Sequence, residues 1–389
     1  MALVIQAREL FTPLERVERP LLFIDDGAVA RIASSVECEI PRGARVVDLG
    51  DATLVPGFID MHIHGGAGHD VMEASADALP AIEKLLLQHG VTTYFPTTVT
   101  APVDQTLSAL EKLADAIEQA RETAGNGRAK PAGIHLEGPF ISHVRPGVHP
   151  PADLLPPTLE MFERFWQASR GHIKVLTIAP ELEGARPVIE EATQRGVCVS
   201  MGHSDADLPA AQAGVAAGVR HATHMFNAMR PLGHRDPGIL GEALMDERVS
   251  AEIIADGIHV DPLIVSLFLR VKGAETAVLV TDATAATGMP DGRYRLGSLE
   301  VDVEDGKCLV NGKLAGSVLT MDKAVRNVVK FANWNLQRAV RLATLNPART
   351  TGLPAKAGML VAGAAADIVA LNSKGEVVKT IVRGQVASA

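Results

Sequence analysis

Eight apolar, strand-like runs alternate with helical stretches through the middle of this chain, and that rhythm restricts the fold more than any other feature. The runs are TLVPGFIDMHIH, VTTYFPT, AGIHLEG, IKVLTIAPE, VCVSMGH, GVRHATH, VSAEIIADG and AVLVTDAT. Between them lie helical segments such as 77–89, 102–121, 184–195 and 262–272. Continuous apolar strands are covered on both faces, as in parallel sheets flanked by helices. Eight β-then-α units over roughly 300 residues is what a (β/α)8 barrel requires. A doubly wound open sheet is the alternative, and polar residues spread over the ends of nearly all the strands argue against it.

The two ends read differently. LVIQARELFT, RPLLFIDDGAVARIA and ARVVDLG near the start, and ADIVALNS and EVVKTIVRGQVA near the finish, are short strands broken by Asp, Gly and Pro turns. The expected fold is therefore α/β: a TIM-like barrel over 54–355 with a small β-sandwich domain formed by both chain ends, 1–53 plus 356–389. A length of 389 residues suits one large and one small domain. DGRYRLGSLEVDVEDGKCLVNGKLAG, after the eighth run, reads as a β insertion near 291–316 of two or three strands beside the barrel mouth.

A formal charge of −9, from 37 basic and 46 acidic residues, argues against a nucleic-acid surface. Cys38, Cys198 and Cys308 lie far apart with no CxxC spacing, which fits a reducing compartment and excludes a cysteine zinc site. The first twenty residues lack a basic start followed by an apolar run, and no stretch approaches the roughly 18 apolar residues of a membrane span. A cytoplasmic enzyme with no membrane partner is expected.

In such a barrel the reactive side chains come from the C-terminal ends of strands. The first ends in Asp60-Met61-His62-Ile63-His64, and the period of two puts His62 and His64 on one face. The third ends in His135-Leu136-Glu137, the fifth in Gly202-His203, the sixth in His221-Ala222-Thr223-His224, the eighth in Thr281-Asp282. Singly, each could be a backbone-satisfied histidine or a helix-capping aspartate. Together they form a nitrogen-and-carboxylate set without thiolate, suited to zinc or to iron, manganese or cobalt. Two ions would share Glu137 as a bridge. A bound metal brings the pKa of its water towards neutral, and Asp282 is then the natural general base and acid.

The segments PGFIDMHIHG, HLEGPF, MGHS, HATHMFNAM, ADGIHV, VTDA and TLNPA resemble the N-acetylglucosamine-6-phosphate deacetylase family of the amidohydrolase superfamily, from about Val55 to GMLVAGAAADIV. The His-x-His, Asp282, NPA and the late Ala-Asp are general to the superfamily, whereas HLEGPF, THMFNAM and ADGIHV are more specific. The resemblance implies hydrolysis of the acetamide of N-acetyl-D-glucosamine 6-phosphate. It implies Glu137, His203 and His224 as core metal ligands, His221 as a wall residue, and Asp282 as the acid/base. Some members lack the His-x-His and hold one metal; this chain keeps His62 and His64, so one or two ions are implied. It further implies substrate contacts at Val148, Asn227, Ala228, Leu314, Ala315 and Gly316, phosphate contacts at Arg235 and His259, and oxyanion stabilisation by His149. The family's phosphate pocket is completed across a homodimer interface.

Two other readings compete. A different substrate, such as an N-acyl amino acid or a cyclic amide, keeps the metal; the fourth run has no lysine after Lys174 to be carbamylated, which weakens the cyclic-amide version. A non-catalytic scaffold would be expected to lose ligands, and here all six are kept.

Overall fold

A computed structural model of the chain describes residues 3–73, 75, 77–122 and 128–386. Besides a two-residue strand at Lys130–Pro131, its central sheet carries eight parallel strands: β1 (Phe58–Ile63), β2 (Val91–Thr98), β3 (Ile134–Glu137), β4 (Ile173–Ile178), β5 (Cys198–Met201), β6 (His221–Ala222), β7 (Ser250–Ile254) and β8 (Ala277–Val280). They neighbour one another in chain order. The sheet closes on itself where Asp282 N–H donates to His62 O at 3.0 Å and His64 N–H to Ala283 O at 2.8 Å. Lower down, the Asp60 carboxylate accepts from the Thr281 hydroxyl at 2.5 Å, a side-chain clasp between the same two strands.

One helix follows each strand and covers the barrel: α1 (Ala78–Gln88), α2 (Val103–Glu122), α3 (Leu159–Ala168), α4 (Ala185–Gln194), α5 (Leu208–Ala217), α6 (Gly238–Met245), α7 (Pro262–Thr276) and α8 (Met321–Ala332). Their starts are written locally. Thr158, Asp207 and Asp261 accept a backbone N–H from the first turns of α3, α5 and α7, each cap contributing about 1 kcal/mol. Phe58, Ile134, Val175, Val199, Ile253 and Leu279 from the strands join helix residues such as Leu110, Phe165, Val188 and Phe268 in one buried core.

The sandwich draws on both chain ends. One sheet orders Ala28–Ser34, Pro20–Asp25, Leu3–Gln6 and Arg45–Asp48; the other orders Gln385–Val386, Val377–Val382, Ile368–Leu371, Thr53–Pro56, Glu9–Phe11 and Arg16–Glu18. Ile5, Leu22 and Ile24 of the first pack with Leu10, Leu54, Ile368 and Ile381 of the second. Residues 1–2 and 387–389 of the expected sandwich segments lie outside the described residues.

Two expectations need correction. TLVPGFIDMHIH is not one strand: Thr53–Pro56 pairs antiparallel with Ile368–Leu371 in the sandwich, and only Phe58–Ile63 enters the barrel. Gly57 is the pivot, because a Cβ there would lie 2.1 Å from Thr92 Oγ1. The insertion has four antiparallel strands rather than two or three: Gly292–Leu296, Leu299–Glu304, Lys307–Val310 and Lys313–Leu314. The last is a two-residue strand without apolar alternation of its own. Among the described residues no helix is long and apolar enough to cross a membrane.

Candidate metal centre

Three of the six expected ligands sit where the backbone leaves its strand in a left-handed conformation: His203 at φ 47°, His224 at φ 26° and Asp282 at φ 50°. Non-glycine residues tolerate this only where the surroundings enforce it, and such residues gather at functional sites. Here it turns side chains from the ends of β5, β6 and β8 inward over the barrel axis. His62 and His64 need no such turn, because alternate residues of β1 already point inward.

Glu137, at the end of β3, is the hub. Its Oε1 lies 3.2 Å from both His203 Nε2 and His224 Nε2, which are 3.0 Å from each other. The same Oε1 is 3.5 Å from His62 Nε2, and Oε2 is 3.3 Å from His64 Nε2. Asp282 Oδ1 closes the group at 3.1 Å from His64 Nε2 and 3.5 Å from His62 Nε2. Ligands at about 2.0–2.1 Å around a tetrahedral zinc stand about 3.3 Å apart, so these spacings match a coordination shell.

The orientation of the rings makes the same point. His62 Nδ1 faces Glu252 Oε2 at 3.0 Å, His64 Nδ1 faces Thr97 O at 3.0 Å, and His203 Nδ1 faces Arg145 O at 3.3 Å. Each partner is an acceptor, so each Nδ1 carries a hydrogen and each Nε2 is the nitrogen turned inward. Inward nitrogens and carboxylate oxygens about 3 Å apart need a proton or a metal cation between them. The donor set and its geometry thus fit a divalent metal.

Electrostatics follow from the crowding of buried carboxylates. Burial raises the Glu137 pKa, but the imidazoles of His62, His149, His203 and His224 outweigh it and hold the carboxyl well below its ordinary range. Asp282 is likewise opposed by burial and held below its ordinary range by His62 and His64. Burial lowers the His62 pKa, yet Glu137, Glu252 and Asp282 together lift it well above the imidazole norm. His64 rises to about 9 against burial, through Asp282 and Glu137, whereas burial and His149 push His203 down to about 4.

The cleft over the centre is lined by His64, Glu137, Val148, His149, His203 and His224, with Asn227, Ala228, His259, Asp282 and Leu314–Gly316 completing it. His62 lies fully buried behind them. The structure therefore brings together every expected site residue except Arg235, which is exposed on the loop before α6 and stands outside this cleft. His221 faces away, with Nδ1 on Ser250 Oγ at 2.7 Å and Nε2 on Glu252 Oε1 at 3.1 Å. His135, on the same face as Glu137, is spent on Met61 O and Thr177 Oγ1.

Three supporting residues were missed from the sequence. Glu252 in β7 backs both His62 and His221; a lone acid inside the apolar run SAEII is its signal, since such a charge is buried only with partners. Asp256 accepts from His259 Nδ1 at 2.7 Å and from the backbone N–H of Ile258 and His259 at 2.8 Å each. Thr100 donates its N–H to His149 Nδ1 at 3.2 Å.

The Amidohydrolase family model matches residues 53–387. An N-acetylglucosamine-6-phosphate deacetylase of Lysinibacillus sphaericus is 36% identical over 99% of this chain and 98% of its own length. An N-acetylgalactosamine-6-phosphate deacetylase of Escherichia coli O157:H7 is 37% identical over all of both chains. Among solved structures, a mutant N-acetyl-D-glucosamine-6-phosphate deacetylase of Mycobacterium smegmatis, in complex with N-acetyl-D-glucosamine-6-phosphate, superimposes with a TM-score of 0.92 at 36% identity and full coverage of both chains. By this match and these identities the chain belongs to the amidohydrolase family, where it stands with the N-acetylglucosamine-6-phosphate deacetylases.

Proposed function

We propose that this chain hydrolyses the acetamide of N-acetyl-D-glucosamine 6-phosphate, releasing acetate and D-glucosamine 6-phosphate. The observation that carries the reading is the convergence of His64, Glu137, His203, His224 and Asp282 at the floor of one cleft, with His62 buried directly behind them. One or two divalent ions held there, zinc by the donor set with iron, manganese or cobalt as alternatives, would polarise the amide carbonyl and make water acidic enough to attack at neutral pH.

The chain's own residues do the rest. His62 and His64 favour the carboxylate form of Asp282 against its burial, so it can take the proton of the attacking water. As the C–N bond breaks, that proton passes from the Asp282 carboxyl to the leaving amine nitrogen. His149 Nδ1 meets the Thr100 N–H at 3.2 Å and the Thr100 hydroxyl at 2.8 Å; accepting from the N–H, which can only donate, is compatible with a proton on Nε2. Nε2–H then faces the cleft and donates to the acyl oxygen as negative charge builds on it. Val148, Asn227, Ala228 and Leu314–Gly316 form the walls that orient the sugar.

For the phosphate, His259 faces the cleft with its other nitrogen on Asp256. Burial lowers its pKa, but Asp256 outweighs that and raises it, favouring the cation that a phosphate needs. Arg235 is assigned to the cleft of a second copy, in a homodimer. Its exposure supports this, as does an apolar stripe on α7, where Leu263, Leu267 and Val271 recur every fourth residue at 75%, 52% and 43% exposure. A cytoplasmic setting is in keeping with three free cysteines.

Acetate release from N-acetylglucosamine 6-phosphate and from the unphosphorylated sugar tests the reading; equal rates would remove the phosphate assignment. The 37% identity to a galactosamine-type relative favours one second reading, the 4-epimer as substrate, and the same assay run on N-acetylgalactosamine 6-phosphate decides between them. Asp282→Asn should lower kcat by about 10²–10⁴-fold with little change in KM, because the water loses its base; full activity in that variant would exclude the acid/base role.

A further inference from the structure

The loops after β3, β4, β5 and β6 meet around one carboxylate outside the cleft. Glu181, after β4, accepts the Ser204 hydroxyl on Oε2 and the Asp205 backbone N–H on Oε1, both at 2.7 Å. That two-point grip fixes the chain just beyond His203. Asp205 in turn joins two arginines: Oδ1 accepts Arg145 Nε at 2.7 Å, and Oδ2 accepts Arg230 Nη1 at 3.2 Å. Arg230 is also held by Asp236, whose Oδ2 lies 2.9 Å from its Nε and 2.5 Å from its Nη2. None of these five residues lines the cleft.

Each arginine anchors a segment that carries a site residue. Arg145 begins the run Arg145-Pro146-Gly147-Val148-His149, and its own carbonyl stands behind His203 Nδ1 at 3.3 Å. Arg230 lies two residues past Ala228, and its clasp on Asp236 closes the loop that carries Arg235. Backbone bonds between Gly233 and Asp236, at 3.0 and 3.2 Å, tighten the same loop. Arg235 is exposed, so where its guanidinium stands depends on how firmly that loop is held. A single ion pair at a surface contributes little. Here the pairs share partners, and the side chains of Asp205, Arg230 and Arg145 are only 25%, 32% and 33% exposed. Members of one such network couple the segments they join.

We propose that Asp205 is a positioning residue: held by Glu181 and holding Arg145 and Arg230 at once, it sets where the His149 segment and the Arg235 loop stand. It thereby serves both the acyl oxygen and the phosphate. This rests on the deacetylase reading above and deepens it by naming a residue outside the cleft on which turnover and phosphate recognition both depend.

The test compares Asp205→Ala, Arg145→Gln and Arg230→Gln with wild type. Ala keeps the backbone bond to Glu181 and removes both side-chain acceptors. kcat and KM are measured on N-acetylglucosamine 6-phosphate, per equivalent of bound metal, and the Kd of D-glucosamine 6-phosphate by calorimetry reports binding without turnover. Arg145→Gln should lower kcat about tenfold with little change in KM, because it loosens the His149 segment. Arg230→Gln should raise KM and that Kd about tenfold with little change in kcat, because it loosens the Arg235 loop. Asp205→Ala should show both changes in one variant. These effects stay short of the roughly 10²-fold that a 1 Å misplacement can cost. Wild-type kcat and KM in Asp205→Ala overturn the proposal, as does a lowered melting temperature as its sole effect. Arginine variants that both change kcat and KM in the same proportion also overturn it. If Asp205→Ala does not fold, the opposite signatures of the two arginine variants carry the test. A wild type that fails to hydrolyse the phosphorylated sugar, or hydrolyses the unphosphorylated one equally fast, removes the reading beneath. One that prefers the phosphorylated sugar while the variants stay unsplit overturns this proposal alone.

Discussion

The two halves of the centre are built by opposite means. His62 stands on β1 and His64 one residue past its end, with acceptors 3.0 Å behind each ring. His203 and His224 stand on left-handed turns beyond β5 and β6, with a longer 3.3 Å contact behind one ring and no partner behind the other among the described residues. The first half is held by secondary structure and charge. The second is held by strained loops whose inward geometry must be maintained by whatever occupies it. A half that depends on its occupant should suffer most when a ligand is removed.

That contrast can be broken in order of effect. On the proposed roles, His203→Asn should abolish retained metal and lower kcat on the order of 10³-fold or more, because a metal contributes several kcal/mol to the transition state. His64→Asn should keep one ion and measurable turnover; metal content and kcat as low as in His203→Asn would show the halves to be equivalent. Smaller is the effect of His149→Gln, which keeps all six candidate ligands and removes the donor to the acyl oxygen. It should lower kcat by about 10²-fold with little change in KM, and an unchanged kcat removes that donor from the reaction.

The smallest effect is a shift in pH dependence. His259 and Asp256 form a second carboxylate-backed imidazole in the loop after β7, outside the metal shell. Because its pKa in the folded chain is raised above 6.5, its cationic contribution to phosphate binding is complete below that value and is lost as pH rises through the raised one. Asp256→Asn should move that loss to lower pH. KM measured from about pH 6 to 9 checks it, and KM curves that superimpose would separate His259 from the phosphate.

These residues also show what could be read in advance. The barrel was legible because parallel strands buried on both faces remain apolar from end to end, as in IKVLTI and AVLV. The six candidate ligands were legible because strand ends are where such barrels carry reactive groups. The split at Gly57 was not, since Val55 and Phe58 on either side are equally apolar and only the close approach to Thr92 gives the glycine its purpose. Glu252 was hidden for another reason. Its partners His62 and His221 lie 190 and 31 residues away, so the need for a carboxylate there exists only once β1, β6 and β7 are side by side. Arg235 was named from resemblance, and one chain alone leaves it on the surface.

The four-stranded insertion has a consequence of its own. It supplies Leu296 and Leu314–Gly316 to the cleft wall while contributing none of the six candidate ligands. Its exit is pinned, with Ser317 N–H donating to Asp282 O at 2.7 Å, and Gly297 N–H anchors its first turn to Asp70 at 2.7 Å. Between those anchors the insertion reaches the cleft only through Leu314–Gly316. On the proposed reading, substitutions on this rim would change which sugar is admitted while leaving the six candidate ligands beneath in place.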